Sequence, residues 1–166
     1  MTLPMLVLQY GLLCVLTLIG AVSDIRRMII PDGVALLIAV AGLFAAGFLP
    51  SGELGLSLLG GALGGALLLA LRWAHFRLRG VEGLGLGDVK FTAAGGLWTG
   101  AEDLPAMLAM ASCTALAYLA CRWLLGRPIT TRDRVPFAPF LGAGLLLVVA
   151  ARLFAGSPIF DLVYRL

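Results

Sequence analysis

The chain has 166 residues, is 61% hydrophobic and only 13% charged, and carries a net charge of +3. An ordinary soluble domain has about 25% charged residues, so that class is excluded, and the abundance of apolar residues excludes a disordered chain. The apolar residues are gathered into stretches of membrane-spanning length, so the expected fold class is all-α, a polytopic helical membrane protein forming one domain over residues 1–166.

Six spans are expected in chain order: Leu3–Val22, Gly33–Leu49, Leu54–Leu71, Val89–Thr99, Leu104–Leu125 and Phe137–Phe154. The first ends in Ala21-Val22-Ser23, which mimics a signal-peptidase site, but no Lys or Arg precedes the apolar run, so it reads as a retained helix. The third contains Gly60-Gly61 and Gly64-Gly65, a doubled small-xxx-small pattern that lets helix backbones approach closely. The fourth is short for a hydrocarbon core of about 30 Å, so its helix is expected to start nearer Leu84 or to run past Thr99.

Loop charge sets the expected orientation. Arg26 and Arg27 follow span 1; Arg72, Arg77, Arg79 and Lys90 lie between spans 3 and 4; Arg122, Arg127, Arg132 and Arg134 surround the connection of spans 5 and 6. Only Arg152 and Arg165 fall on the other side, where Glu53, Glu102 and Asp103 are found. The positive-inside rule places the basic loops in the cytoplasm and both termini outside. Trp73, Trp98 and Trp123 near span ends fit an interfacial aromatic belt. Because the basic residues occupy membrane loops, the positive charge is no sign of a nucleic-acid partner; the lipid bilayer is the expected surrounding. Cys14, Cys113 and Cys121 lie in apolar stretches without paired spacing and are expected to be small buried hydrophobes.

The chemistry concentrates in two acids. Asp24 opens Asp24-Ile25-Arg26-Arg27-Met28-Ile29-Ile30-Pro31-Asp32, and Asp88 closes Gly83-Leu84-Gly85-Leu86-Gly87-Asp88. Both fall at the cytoplasmic edge, in different loops, and an acid at a membrane edge points to function. Two close carboxylates cannot both ionise cheaply, so such a pair shares a proton. The ionised member takes a proton from water while the protonated member polarises a carbonyl, the minimum equipment for metal-free peptide hydrolysis. The three alternate glycines leave bare backbone against which a substrate strand can lie. Plainer roles compete: Asp88 as N-cap of span 4, Asp24 paired with Arg26 or Arg27, and Asp32, after Pro31, as N-cap of span 2. His75, the single histidine, is expected to face solvent or headgroups. One histidine and no cysteine pair do not make a zinc site, no oxygen-rich cation shell is evident, no GxSxG elbow exists, and the glycine run is not a dinucleotide fingerprint. No metal or cofactor is expected.

At these residues the chain resembles the type IV prepilin peptidases, membrane aspartyl proteases with a GxGD motif. The likeness rests on Gly85-Leu86-Gly87-Asp88 extended through Val89 to Lys90 as GxGDxK, on Asp24 through Pro31-Asp32 as D-x6-P-[DN], and on Pro136-Phe137-Ala138-Pro139-Phe140-Leu141, close to PFGPFL before the last span. It covers about Asp24 to Gly142. The resemblance implies that Asp24 and Asp88 are the catalytic pair, with Gly85, Gly87, Lys90, Pro31, Asp32, Pro136 and Pro139 in support. It implies cleavage of the short basic leader from prepilins or pseudopilins, single hydrophobic helices, at the cytoplasmic face of the bacterial inner membrane. Ala138 departs from the usual glycine. Nothing in the chain matches the cysteine-bearing domain that larger members carry, so N-methyltransferase activity is expected to be absent, as in the minimal enzymes of Flp/tight-adherence pilus systems. Two other classes remain: a small ion or solute carrier with coupling carboxylates, which would place the acids nearer the bilayer midplane, and a non-enzymatic assembly subunit whose glycines serve packing alone.

Overall fold

The computed structural model describes residues 3–47, 53–81, 83–126 and 135–155. The expected basic residues Arg127, Arg132, Arg134 and Arg165, and Leu49 at the end of the second expected span, lie outside them. The described residues form five helices: α1 Leu3–Arg27, α2 Asp32–Gly47, α3 Glu53–Arg79, α4 Leu86–Leu124 and α5 Ala138–Ala155, and no strand. Three are long and apolar enough to cross a membrane, over Val7–Arg27, Leu54–Arg79 and Leu86–Leu124; Asp32–Gly47 and Ala138–Leu153 are shorter apolar helices.

Helix ends follow local chemistry. Arg26 and Arg27 close α1, and Arg77 and Arg79 close α3, basic residues where the helix dipole is negative. The α3 ladder stops at Gly80, which takes a left-handed φ of 69° and donates its N–H to the Phe76 carbonyl at 2.9 Å. Helix α4 ends the same way at Gly126, φ 69°. The turn after α1 uses a residue with a β-carbon: Met28 has φ 53° and donates its N–H to the Asp24 carbonyl at 2.8 Å.

The fourth and fifth expected spans are two arms of α4. At Gly100 the backbone leaves helical geometry, with φ 68° and ψ 178°. A straight helix would hold Gly95 and Met107 about 18 Å apart. Instead, a β-carbon placed on Gly95 would stand 2.9 Å from the Met107 methyl, so the second arm folds back along the first. A left-handed φ suits glycine, and Pro105 sits five residues on, early in the returning arm.

The doubled glycines of α3 pack against this reversal. A β-carbon on Gly60 would lie 2.4 Å from both the Gly96 carbonyl oxygen and the Gly100 carbonyl carbon, and one on Gly96 would lie 2.3 Å from the Gly60 oxygen. The backbones touch, as small-xxx-small spacing allows. Ser57 adds a hydrogen bond to the Leu97 carbonyl. The apolar core cluster is drawn from the other helices: Leu13 and Leu16 of α1, Val34 and Ile38 of α2, Phe91 and Met107 of α4, Leu141 and Leu145 of α5. Large side chains such as Leu8, Leu36, Phe44 and Leu116 point outward and are mostly exposed, a surface suited to lipid rather than water.

Two expectations are corrected. Trp98 is not a belt residue: its indole packs on Gly42 and donates to the Ile38 carbonyl at 2.8 Å, whereas Trp73 and Trp123 are exposed. Of the cysteines only Cys14 is partly buried; Cys113 and Cys121 are exposed because they fall on the outward face of α4.

The backbone contact yields a prediction. Gly60→Val should destabilise the protein by about 1–3 kcal/mol through overpacking. Gly55→Val on the same helix should be near neutral, because a β-carbon there would meet nothing within 4 Å. Thermal melting in detergent compares the two, and equal melting temperatures would remove the close crossing.

Candidate active site

The chain brings four segments together at one end of the bundle: the C-terminal turn of α1, the start of α2, the glycine segment entering α4, and the start of α5. The opposite end carries Gly100 and the ion pair of Arg152 with Asp103, 2.5 Å.

Asp24 is the most enclosed acid described, with 7% of its surface exposed. Its Oδ2 accepts a hydrogen bond of 3.0 Å from the backbone N–H of Ala138. The Pro-Phe segment explains why that N–H is free. The Phe137 carbonyl accepts from Phe140 and Leu141, so the helix starts after Phe137; Ala138 is its first residue and Pro139 has no N–H. The first-turn donor of α5 is therefore turned onto Asp24. Ala138 itself is fully buried.

After Asp24 the chain turns at Met28, and Ser23 Oγ donates to the Ile29 carbonyl at 2.8 Å, closing the turn. Ile30, buried, is carried against the entry of α4: a β-carbon on Gly87 would lie 3.1 Å from the Ile30 β-carbon. The Asp24 turn can seat on α4 because residue 87 has no side chain.

Asp88 lies in the first turn of α4, whose N-cap is Gly85. The expected alternative of Asp88 as N-cap is thereby corrected: it stands three residues further in and reaches back to the Gly85 backbone, the position from which an acid satisfies a free N-terminal donor. A β-carbon on Gly85 would be 3.1 Å from Asp88 Oδ2. Asp24 is near enough for its charge to act on Asp88. One turn below them Phe91, fully buried, fills the space between Gly20 of α1 and Gly142 of α5.

Gly83 and Gly85 expose their backbone, as expected, and Gly87 is half-buried, but each has a side chain where a β-carbon would stand. The His75 ring occupies the position a β-carbon of Gly83 would take, and β-carbons on Gly85 and Gly87 would press on Asp88 and Ile30. Arg72 donates to the Leu84 carbonyl, tying the segment to α3. His75 is exposed, as expected, but serves as this seat. Asp32 is also corrected: the Pro31 carbonyl accepts from Val34 and Ala35, so Pro31 caps α2 and Asp32 is its first helical residue. Asp32 is exposed and pairs with Lys90 at 2.6 Å, linking the two sequence motifs. Pro136 lies in the non-helical run just before α5. A cavity of about 410 Å³ adjoins the glycine segment, bounded by Leu71 and His75 of α3, Gly83 and Leu84 of that segment, Leu108 and Ser112 of α4, and Phe137. The functional group that residue types missed is the Ala138 N–H, whose signal is the placement of Pro139.

This arrangement belongs with a known family. The model of the type IV leader peptidase family matches residues 11–120, and the chain belongs to that family. It is 34% identical over 149 residues to a prepilin leader peptidase/N-methyltransferase of Burkholderia pseudomallei, covering 89% of this chain and 46% of that relative. A protein of the same description from Aeromonas hydrophila is 34% identical over 71% of this chain and 40% of its own length. Leader peptidase HopD of Escherichia coli is 32% identical over 93% of this chain and 97% of its own. The chain thus spans less than half the length of the two larger relatives. No solved structure matches it.

The Lys90–Asp32 pair is solvent-exposed on both sides, so its coupling energy should be no more than about 1 kcal/mol. A double-mutant cycle of Lys90→Ala and Asp32→Ala followed by thermal melting measures it; a coupling several times larger would make the pair a principal tie between α2 and α4.

Proposed function

We propose that the protein is a membrane aspartyl endopeptidase that removes the leader peptide from type IV prepilins or pseudopilins, with Asp24 and Asp88 as its catalytic pair. The observation that carries this is the approach of two acids from separate motifs, one held by a main-chain donor at the start of the last helix. Family membership supports the reaction class, and the names of the relatives supply the substrate.

In the reaction, one carboxylate is ionised and the other protonated. The ionised member accepts a proton from water as its oxygen adds to the scissile carbonyl carbon. The protonated member gives its proton to the carbonyl oxygen, forming a neutral tetrahedral diol. A carboxyl then protonates the departing amide nitrogen, the C–N bond breaks, and one diol hydroxyl returns its proton to the other carboxylate. No covalent enzyme intermediate forms. The Ala138 N–H stabilises negative charge on Asp24 and fixes its orientation. The cavity between α3 and the second arm of α4 offers room for substrate side chains beside the glycine segment that leads to Asp88.

The two arms of α4, with the four other helices, make six rods, which we read as six membrane crossings. The end carrying Asp24 and Asp88 also carries Arg26, Arg27, Arg72, Arg77, Arg79 and Lys90, so the positive-inside rule puts the site at the cytoplasmic face of the inner membrane and both termini outside. The substrate would be a single-helix precursor whose basic leader lies in the cytoplasm. Peptidase action without N-methyl transfer is the activity we assign to these residues.

Asp24→Asn and Asp88→Asn should each lower precursor cleavage by about 10²-fold or more while melting within a few degrees of the parent. Cleavage at the parental rate by either variant removes the pair. Ala138→Pro deletes the Asp24 donor, yet proline is favoured at a first helical position. It should lower cleavage about tenfold, with Ala138→Gly retaining activity; helical content by circular dichroism checks that α5 persists.

A further inference from the structure

Among the described residues, one buried side-chain polar atom has no hydrogen-bond partner: the hydroxyl of Thr92, a fully buried residue. Other hydroxyls on the helices show what it forgoes. Thr17 donates to the Leu13 carbonyl at 2.8 Å, Ser112 to Leu108 at 2.8 Å and Thr114 to Met110 at 3.0 Å, each one turn back. Thr99, also fully buried and on the same arm of α4, reaches Gly95 at 3.4 Å. The equivalent acceptor for Thr92 is the carbonyl of Asp88, and it is not used. Toward α3 the nearest side-chain atom of Thr92 is its methyl, 3.3 Å from where a β-carbon of Gly64 would stand, so the hydroxyl is not spent on that contact. An isolated buried hydroxyl costs stability, and valine would fill the same space without that cost.

The position suggests what the hydroxyl serves. Residues four apart lie on one helix face, with β-carbons about 5–6 Å apart, and the residue one turn before Thr92 is Asp88. The Asp88 carboxylate reaches toward the Gly85 backbone and makes no hydrogen bond with the Thr92 hydroxyl; polar groups one helical turn apart that do not bond directly are commonly joined by a bridging water. Asp24 of α1 is the charged group that acts on Asp88 from across the site, and Lys90 is engaged by Asp32. We propose that Thr92 is a positioning residue whose hydroxyl anchors a water molecule against the Asp88 carboxylate from the inner side of α4. Buried waters characteristically satisfy such groups. The kinetic consequence rests on the proteolytic function proposed above: the water fixes the carboxylate facing Asp24, so its loss slows bond cleavage and leaves precursor binding intact.

Thr92→Val keeps the shape and removes the hydroxyl; Thr92→Ser keeps the hydroxyl. With the full chain in detergent and a prepilin precursor, T92V should lower kcat about tenfold with KM unchanged, the loss of one hydrogen bond to a charged group. T92S should keep most of the parental kcat, and T92V should melt no lower than the parent. Unchanged kcat in T92V, or equal losses in T92V and T92S, overturns the proposal. A second measurement needs no turnover. In an Asp24→Asn background, the infrared carboxyl band of Asp88 should shift in T92V and not in T92S, and an unmoved band overturns the proposal. A shifted band in a chain that cleaves no precursor would uphold Thr92 and sink the proteolytic function instead.

Discussion

Everything at the site depends on a place where side chains are excluded. Gly60 of α3 lies against Gly96 and Gly100 of α4 with backbone touching backbone, at the point where α4 reverses. The reversal returns the second arm to the end from which the first arm set out, so α5 starts beside the entry of α4. With a larger residue at this crossing α3 would stand off, and the segment it holds through Arg72 and His75 would move with it. The position of Asp88 is thus set by contacts at both ends of α3.

The acids are organised differently. Asp88 is held locally, by the first turn of its own helix and the Gly85 backbone. Asp24 is held at long range, by a donor from the last helix. Between their segments Ile30 packs against Gly87, and buried Phe91, one turn into α4, lies between Gly20 of α1 and Gly142 of α5. A carboxylate that is nearly buried needs a partner to remain charged, and a main-chain N–H is a donor that sequence change at that position removes only by proline.

Much of this was legible in the chain itself. The apolar stretches gave the helices, the doubled glycines announced the α3 crossing, and the D-x6-P-D and GxGDxK segments marked the residues that meet. What was not legible is geometric. Spacing showed three glycines but not that the protein's own His75, Asp88 and Ile30 stand where their β-carbons would be. Trp98 near a span end resembled a belt residue because linear position carries no information about which way an indole faces. Asp32 matched an N-cap by type, yet the preceding carbonyl caps the helix, which left its side chain free for Lys90. The Ala138 donor has no residue-type signature, since every residue but proline offers one.

The bond between Asp24 and Ala138 joins residues 114 apart, the first described helix to the last. During synthesis, a chain that has emerged only through α4 already contains both acids and the glycine segment. It does not contain the donor that holds Asp24. The contact at Asp24 therefore forms only in a fixed temporal order, with α5 as its completing element: a ribosome-bound chain that stops at α4 carries both acids and the glycine segment, but Asp24 still lacks the main-chain donor that orients it.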